Sequence, residues 1–492
     1  MKQKNKIFTN FKSILQNPLF SKFLFIVFFS IFTIFLLYIY IISGNNIIVS
    51  KLIYYIFVLI LFLLSVLGYK AFKLDSIYLF IISFGLIAIF AIPYFSPIDE
   101  GAHFEYIHAI NQEKTLPLIN TTMDTDYLHS LTDKNVPGEG TIRYEAFQPP
   151  LYYLIATAIM SLPPDSVQVD FFSLRFLGLI SMVVTYVFLK KTYLLLTHAN
   201  VLKRRDKLFY SLSFLLTISP SFVTRMITLS NEHLAVLLCS ILSYLTFKIF
   251  INRKFNINMT TLLSILTGAA LLTKITTFFI PLIITFVFII NKQNKHALFY
   301  VFLLAMIFSP WIGYNLYHYN SLTASYEHIN FVLQIVNPAN TSKGLIYALD
   351  AIPQFLNSIF LPQEYLSPDY PLVQYITSFL SIIILFSILI CMYLITKLIL
   401  KRKSIVKLYF LFLFPILSNI AFLVISTKLT KVDVLIGRYL YINLIQLVLV
   451  IYITLEWLFK KVHKKTILPY IISFFACFLI VAYAVFILKN LS

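Results

Sequence analysis

Apolar residues fall in long unbroken runs along this chain, and polar residues are confined to the segments between them. At roughly 20 apolar residues per bilayer crossing, the pattern predicts about 13 spanning helices. They lie at 23–43, 52–69, 76–94, 171–190, 208–223, 231–250, 259–273, 275–291, 297–316, 371–396, 405–426, 438–459 and 467–488. The two runs flanking Lys274 are short, which fits either a broken helix pair or one re-entrant feature. Two gaps, 95–170 and 317–370, are too long to be turns. In the first, Leu151 to Leu162 is apolar but too short to span, and Pro163-Pro164 ends it. It predicts an interfacial helix with Tyr152 and Tyr153 as aromatic anchors. The second gap, with Tyr317, His318, Tyr326, His328 and Tyr347, reads equally as a headgroup pocket or an aromatic belt. The fold expected is an all-α polytopic membrane protein in three parts: an N-terminal helix pair over 1–75, a transmembrane core over 76–460, and a C-terminal helix over 461–492.

Composition agrees: 59% of the 492 residues are hydrophobic and 12% charged, more apolar surface than a soluble core can bury. The net charge of +19 would suit nucleic acid as one continuous basic face. Here Lys and Arg sit in short clusters between apolar runs, such as Lys203, Arg204, Arg205 and Lys207, or Lys401, Arg402 and Lys403. Those are marks of cytoplasmic loops, so no nucleic-acid partner is expected. With the N-terminus cytoplasmic, the loops 95–170 and 317–370 fall outside, together with most of the acids. The three cysteines lie in apolar runs with neither metal-ligand spacing nor disulfide logic. The first run lacks a small-residue cleavage site and reads as a retained helix.

Candidate chemistry begins where the third run ends, at Pro97-Ile98-Asp99-Glu100-Gly101-Ala102-His103. Ionisable groups at a membrane surface are costly and mark function. Asp99 or Glu100, ionised and held at the end of a spanning helix, can act as a general base on a hydroxyl or amine. A carboxylate also stabilises an oxocarbenium-like state; the bland alternative is an acid-capped helix end. His103, four residues on, shares a helical face with Asp99 and can bond a phosphate or orient the carboxylate. A metal would have to draw on Asp99, Glu100 and His103, which lack recognised metal spacing. Of the basic residues on the same side, Arg175, Arg225, Lys274 and Arg438 sit at or inside apolar runs, where an unpaired charge is expensive. Arg225 or Arg438 can make a two-pronged contact to a phosphate. The structural alternative pairs Arg225 with Glu232 and Arg175 with Asp170, and pairing is favoured for Arg175.

These residues, in this order, resemble the GT-C glycosyltransferases, membrane enzymes that use polyprenyl-phosphate-linked sugars. Asp99-Glu100 followed by His103-Phe104-Glu105-Tyr106 looks like the Asp-Glu-x-x-Arg-Tyr start of the aminoarabinose and mannosyl transferase branches. Gln148-Pro149-Pro150-Leu151-Tyr152-Tyr153 looks like their Lys-Pro-Pro-Leu-Tyr-Tyr. Arg175-Phe176-Leu177-Gly178, Ser230-Asn231-Glu232, Leu272-Thr273-Lys274, Pro310-Trp311 to Asn315 and Gly437-Arg438-Tyr439 follow in family order, over roughly 76 to 460. Each motif is weak alone, and the order carries the likeness. The nearest pattern is an uncharacterised prokaryotic branch with Pro-x-Asp-Glu-x-x-His and Gln-Pro-Pro-Leu-Tyr-Tyr. Gln148 stands where the aminoarabinose branch has its phosphate-binding Lys, so that role does not carry over, and His103 stands for Arg.

The resemblance implies an inverting sugar transfer (EC 2.4 class) in a bacterial plasma (inner) membrane. The donor is a polyprenyl-phosphate sugar entering from the outer leaflet, and the acceptor an envelope glycan, lipid or polymer. Asp99 is the favoured base and Glu100 the alternative. Expected substrate contacts are His103, Tyr106, Gln148, Tyr152, Arg225, Lys274 and Arg438. No cofactor is required, though a divalent cation is compatible with the reaction. The competing class is a transporter or flippase of lipid-linked saccharides. It would also carry buried charges, but commonly shows internal repeats, and none is visible.

Overall fold

The computed structural model describes residues 76–95, 99–131, 141–160, 167–324, 355, 357–361, 371–400, 406–430, 437–459 and 468–490. The expected spans 23–43 and 52–69, Pro163-Pro164, the basic cluster 401–403 and most of the loop 317–370 lie outside the described residues. The described residues fall into two compact units, 88–479 and 76–87 with 480–490.

Every regular element among the described residues is helical; one antiparallel bridge joins Thr122 to Ile142. In chain order the α-helices are α1 Ser76–Ala91, α2 Asp99–Glu113, α3 Leu151–Met160, α4 Val167–His198, α5 Asp206–Thr217, α6 Pro220–Ile227 and α7 Glu232–Asn252. They continue as α8 Ile257–Thr273, α9 Phe279–Ile290, α10 Asn294–Tyr319, α11 Pro371–Leu400, α12 Val406–Thr430, α13 Leu444–Phe459 and α14 Leu468–Asn490. Among these, Val167–His198, Glu232–Asn252, Asn294–Tyr319, Tyr375–Lys397 and Arg438–Leu458 are long and apolar enough to cross a membrane. Only helices and closed barrels satisfy their own backbone in lipid, so such helices mark a membrane protein.

Three apolar runs are interrupted, each for a local reason. The run 208–223 is two helices, because Pro220 starts α6 and pushes Ser219 into extended backbone at ψ 139°. The run around Lys274 is a broken helix: α8 stops at Thr273, Lys274 is extended (φ −157°, ψ 125°), and a 3₁₀ turn, Ile275–Phe278, leads into α9. The run 438–459 opens with a 3₁₀ turn, Gly437–Asn443, before α13. Breaks like these are tolerated at membrane depth only where the freed backbone is buried in protein or lines a cavity.

α2, α3 and the start of α4 share one core, built from Phe104, Tyr106, Ile107, Tyr152, Tyr153, Ala156, Phe171 and Leu174. The headgroup-anchor expectation for Tyr152 and Tyr153 is therefore corrected: both rings are fully buried, while Leu154 and Ile155 face outward. Aromatic rings with polar tips serve as core when those tips find company. Tyr153 does so, stacking on Tyr106 with centroids 3.9 Å apart and meeting His103.

α4 and α6 touch at Gly178, where an added Cβ would lie 2.0 Å from the Met226 carbonyl oxygen. Backbone cannot step aside as a side chain can. Gly178→Ala is therefore expected to destabilise the protein by about 1–3 kcal/mol, the usual cost of overpacking. A thermal melt in detergent checks this, and a wild-type midpoint would show that the two helices are free to separate.

Candidate functional site

Asp99 and Glu100 are sequence neighbours with opposite surroundings. Both lie in the first turn of α2, where the helix dipole favours negative charge. The Glu100 side chain is 0% exposed; that of Asp99 is 38% exposed. Glu100 Oε1 accepts from Arg175 Nε (3.0 Å) and the Leu229 amide (2.9 Å). Its Oε2 accepts from Arg175 Nη2 (2.7 Å) and the Phe95 amide (3.1 Å). Burial pushes this carboxyl up from its ordinary value, while Arg175 and the two amides pull it back. With four donors on its two oxygens, Glu100 has no lone pair left for a substrate proton.

Arg175 completes this knot. Its remaining N–H groups bond the carbonyls of Ile89 (2.7 Å), Ile92 (2.7 Å) and Pro93 (3.0 Å), at the end of α1, and the guanidinium lies 4.7 Å over the Phe171 ring. A cation at a helix C-terminus satisfies carbonyls that lack an intrahelical partner. Arg175 thus ties the end of α1 to the start of α2. Between them Phe95 holds φ 59°, a left-handed conformation that is strained for a bulky residue; Glu100 bonds its amide. The pairing of Arg175 with Asp170 that the sequence suggested is replaced by this one with Glu100.

Asp99 faces the other way, towards residues far along the chain. Its Oδ2 is 3.9 Å from Arg438 Nη2, and Arg438 Nε is 3.7 Å from Glu232 Oε1. Glu232 Oε1 also accepts from Lys274 Nζ at 3.0 Å. Lys274 donates to Asn231 Oδ1 (3.3 Å), and Asn231 Nδ2 donates to Gln148 Oε1 and to the Thr273 carbonyl, each at 3.1 Å. Two of the three breaks in the apolar runs deliver a cation here: Lys274 from the gap after α8, Arg438 from the 3₁₀ turn before α13. Both cations also lie over the Tyr439 ring, at 5.2 and 5.3 Å. Arg225 on α6 lines the same cavity with Glu232, Lys274, Arg438 and Tyr441. Arg438 Nε is buried without a hydrogen-bond partner.

Behind this cluster lie three residues that the sequence assigned to substrate. His103 Nδ1 meets the Tyr153 hydroxyl at 2.8 Å, and burial pulls the imidazole down to about 3, against an upward pull from Asp99. The ring is neutral at physiological pH, so it offers no cationic phosphate contact. Tyr106 is buried and donates to the Gln148 carbonyl (3.4 Å). Tyr152 packs edge-on to His233 with centroids 5.0 Å apart. The structure thus gathers Asp99, Gln148, Arg225, Lys274 and Arg438, and sets Glu100, His103, Tyr106 and Tyr152 behind them. Glu100 and His103 are committed to other partners and do not join Asp99 as ligands; among the described residues no three His, Cys, Asp or Glu gather to hold a metal.

Three participants were not singled out as site residues from the sequence: Asn231, Glu232 and Glu145. The first two open α7 within Ser230-Asn231-Glu232, which was a usable signal. Glu145 had a weaker one, an acid three positions before Gln148 beside Ala146-Phe147. No family model matches this chain, and no curated protein sequence matches it.

Proposed function

We propose that the chain is a membrane glycosyltransferase of the GT-C type, moving a sugar from a polyprenyl-phosphate donor to a hydroxyl or amine on an envelope glycan, lipid or polymer. The observation that carries this reading is Arg438. A buried guanidinium N–H without a hydrogen-bond partner is costly, and this one stands between Asp99 and Glu232 on a cavity wall shared with Arg225 and Lys274. Such a group suits an arriving anion, and planar Arg suits phosphate. Beside it Asp99 is the accessible carboxylate.

In this reading Asp99 takes the acceptor's proton as the acceptor oxygen or nitrogen attacks the anomeric carbon. The bond from that carbon to the phosphate oxygen breaks, and its electron pair leaves on the lipid phosphate. Arg438 and Lys274 hold the growing negative charge there. One displacement inverts the anomeric centre. The spacing of apolar runs supports about 13 spans in a plasma membrane, and the segregation of basic clusters from acids supports an external site with the N-terminus inside.

Mass comparison of envelope glycans from a deletion strain and its parent tests the reading: a missing sugar is expected, and identical glycans would overturn it. In the purified protein, Arg438→Lys keeps the charge but loses the fork. It is expected to weaken donor use by about tenfold or more, since a charge-assisted hydrogen bond is worth about 1.5–3 kcal/mol. An effect confined to the acceptor KM would remove Arg438 from the donor site.

A further inference from the structure

Two buried glutamates lie close to Asp99, and they are treated differently. Glu100 has four donors on its oxygens. Glu145, in the 3₁₀ turn Tyr144–Phe147, is also buried, at 8% exposure, yet its Oε2 has no hydrogen-bond partner. The nearest ring nitrogen, His103 Nδ1, is 3.7 Å away and already meets the Tyr153 hydroxyl. Lys274, whose charge pulls Glu145 down, is itself bonded to Glu232 and Asn231. Gln148 gives the Glu145 carboxyl a single side-chain hydrogen bond; a buried carboxylate with so little support costs several kcal/mol, and such a group keeps its proton instead.

We propose that Glu145 sits in the site as a neutral carboxylic acid, that its O–H is a donor for an oxygen of the incoming phosphate, and that loss of this proton to solvent expels the anion. The inference rests on the glycosyltransferase reading and adds a residue that governs donor affinity. The groups facing Glu145 account for both states. From α2 come Asp99, His103 and Tyr106; from α3, Tyr153; from α7, Glu232; from the helix break, Lys274; and from its own turn, Tyr144 and Gln148. His103 is neutral, and the tyrosines keep their protons. With Glu145 protonated, the cations Lys274, Arg438 and Arg225 outnumber the carboxylates Asp99 and Glu232, and the cluster attracts an anion. An ionised Glu145 cancels that excess and turns its only donor into a second acceptor beside the phosphate. A protonated carboxyl kept as a hydrogen-bond donor by its surroundings is a known catalytic device.

Burial, followed by the charge of Asp99, pushes Glu145 up to about 8. The proton is therefore present at neutral pH and lost as pH rises through about 8. The test uses the full chain in lipid nanodiscs with a polyprenyl phosphate as probe. In the wild type, affinity is expected to fall about tenfold or more between pH 7 and pH 9.5, ionisation being nearly complete at the upper end. In Glu145→Gln, neutral and donating at every pH, that alkaline loss is expected to vanish. An infrared difference titration of the wild type against Glu145→Gln, which removes the bands of the other buried glutamates Glu100 and Glu105, supplies a second measurement that needs no ligand. The carbonyl stretch of a protonated carboxyl is expected near neutral pH and lost with a midpoint near 8. If Glu145→Gln keeps the alkaline loss, or no such band titrates, the inference is overturned. If the wild type binds no polyprenyl phosphate at any pH while the band titrates, the donor reading and the phosphate role fall together, and the neutral acid stands.

Discussion

Asp99→Asn is expected to lower the rate of sugar transfer by about 10²–10⁴-fold, the usual contribution of a positioned general base, while leaving a folded protein. The amide matches the carboxylate in shape but cannot take a proton. The side chain is 38% exposed, and Arg438 Nη2, with which it pairs, is 3.9 Å away, beyond hydrogen-bond range. Little folding energy therefore rests on it, since exposed pairs contribute about 0–1 kcal/mol. Donor affinity should hold or improve, because the change removes a negative charge beside the phosphate cations. The expected signature is a fall in kcat with an unchanged or lower donor KM, an interaction made only in the transition state. Single-turnover transfer measured on the purified variant checks it. Near-normal kcat would remove Asp99 as the base, and Glu100 could not replace it, with its oxygens occupied by Arg175, Leu229 and Phe95.

The helical character of the chain was legible because lipid leaves the backbone no other solution, so apolar runs translate directly into helices. Asp99 was legible for a related reason: acids beside a spanning run are costly enough to be noticed. α2 itself was harder to read. Its sequence, Asp-Glu-Gly-Ala-His-Phe-Glu-Tyr-Ile-His, has a polar pattern that suggests a wet surface, yet Glu100, His103 and Glu105 are buried. Each is accommodated by a residue far away in sequence. Arg175 meets Glu100 across 75 positions, Tyr153 meets His103 across 50, and Arg143 meets Glu105 across 38 at 2.8 Å. No local spacing reveals such partners, which is why Asp170 looked like the natural mate of Arg175. Glu145 was invisible for the same reason: only the turn at Tyr144–Phe147 carries it inward. Pro220 is the opposite case, since the break it makes in the run 208–223 could have been read directly from the missing N–H.

Arg175→Ala is expected to cost more folding free energy than any other change considered for this protein. Removing one member of a buried ion pair costs about 3–5 kcal/mol, because the other charge stays behind uncompensated. Here Glu100 would lose two of its four donors, and the carbonyls of Ile89, Ile92 and Pro93 would lose theirs. Against a total stability of about 5–15 kcal/mol, that loss should abolish recovery of monodisperse protein in detergent. Glu100→Gln should cost less, since an uncharged amide can still accept from one of the two backbone N–H groups. The double variant separates charge from capping. If the charge of Glu100 is the main burden, adding Glu100→Gln to Arg175→Ala should restore part of the stability, with a coupling energy in the range of about 0.5–3 kcal/mol found for contacting residues. Full restoration would show that the α1 carbonyls need no cap. A wild-type melting curve for Arg175→Ala alone would show that the knot joining α1, α2 and the segment before α7 does not hold the fold, and that Asp99 owes its position to something else.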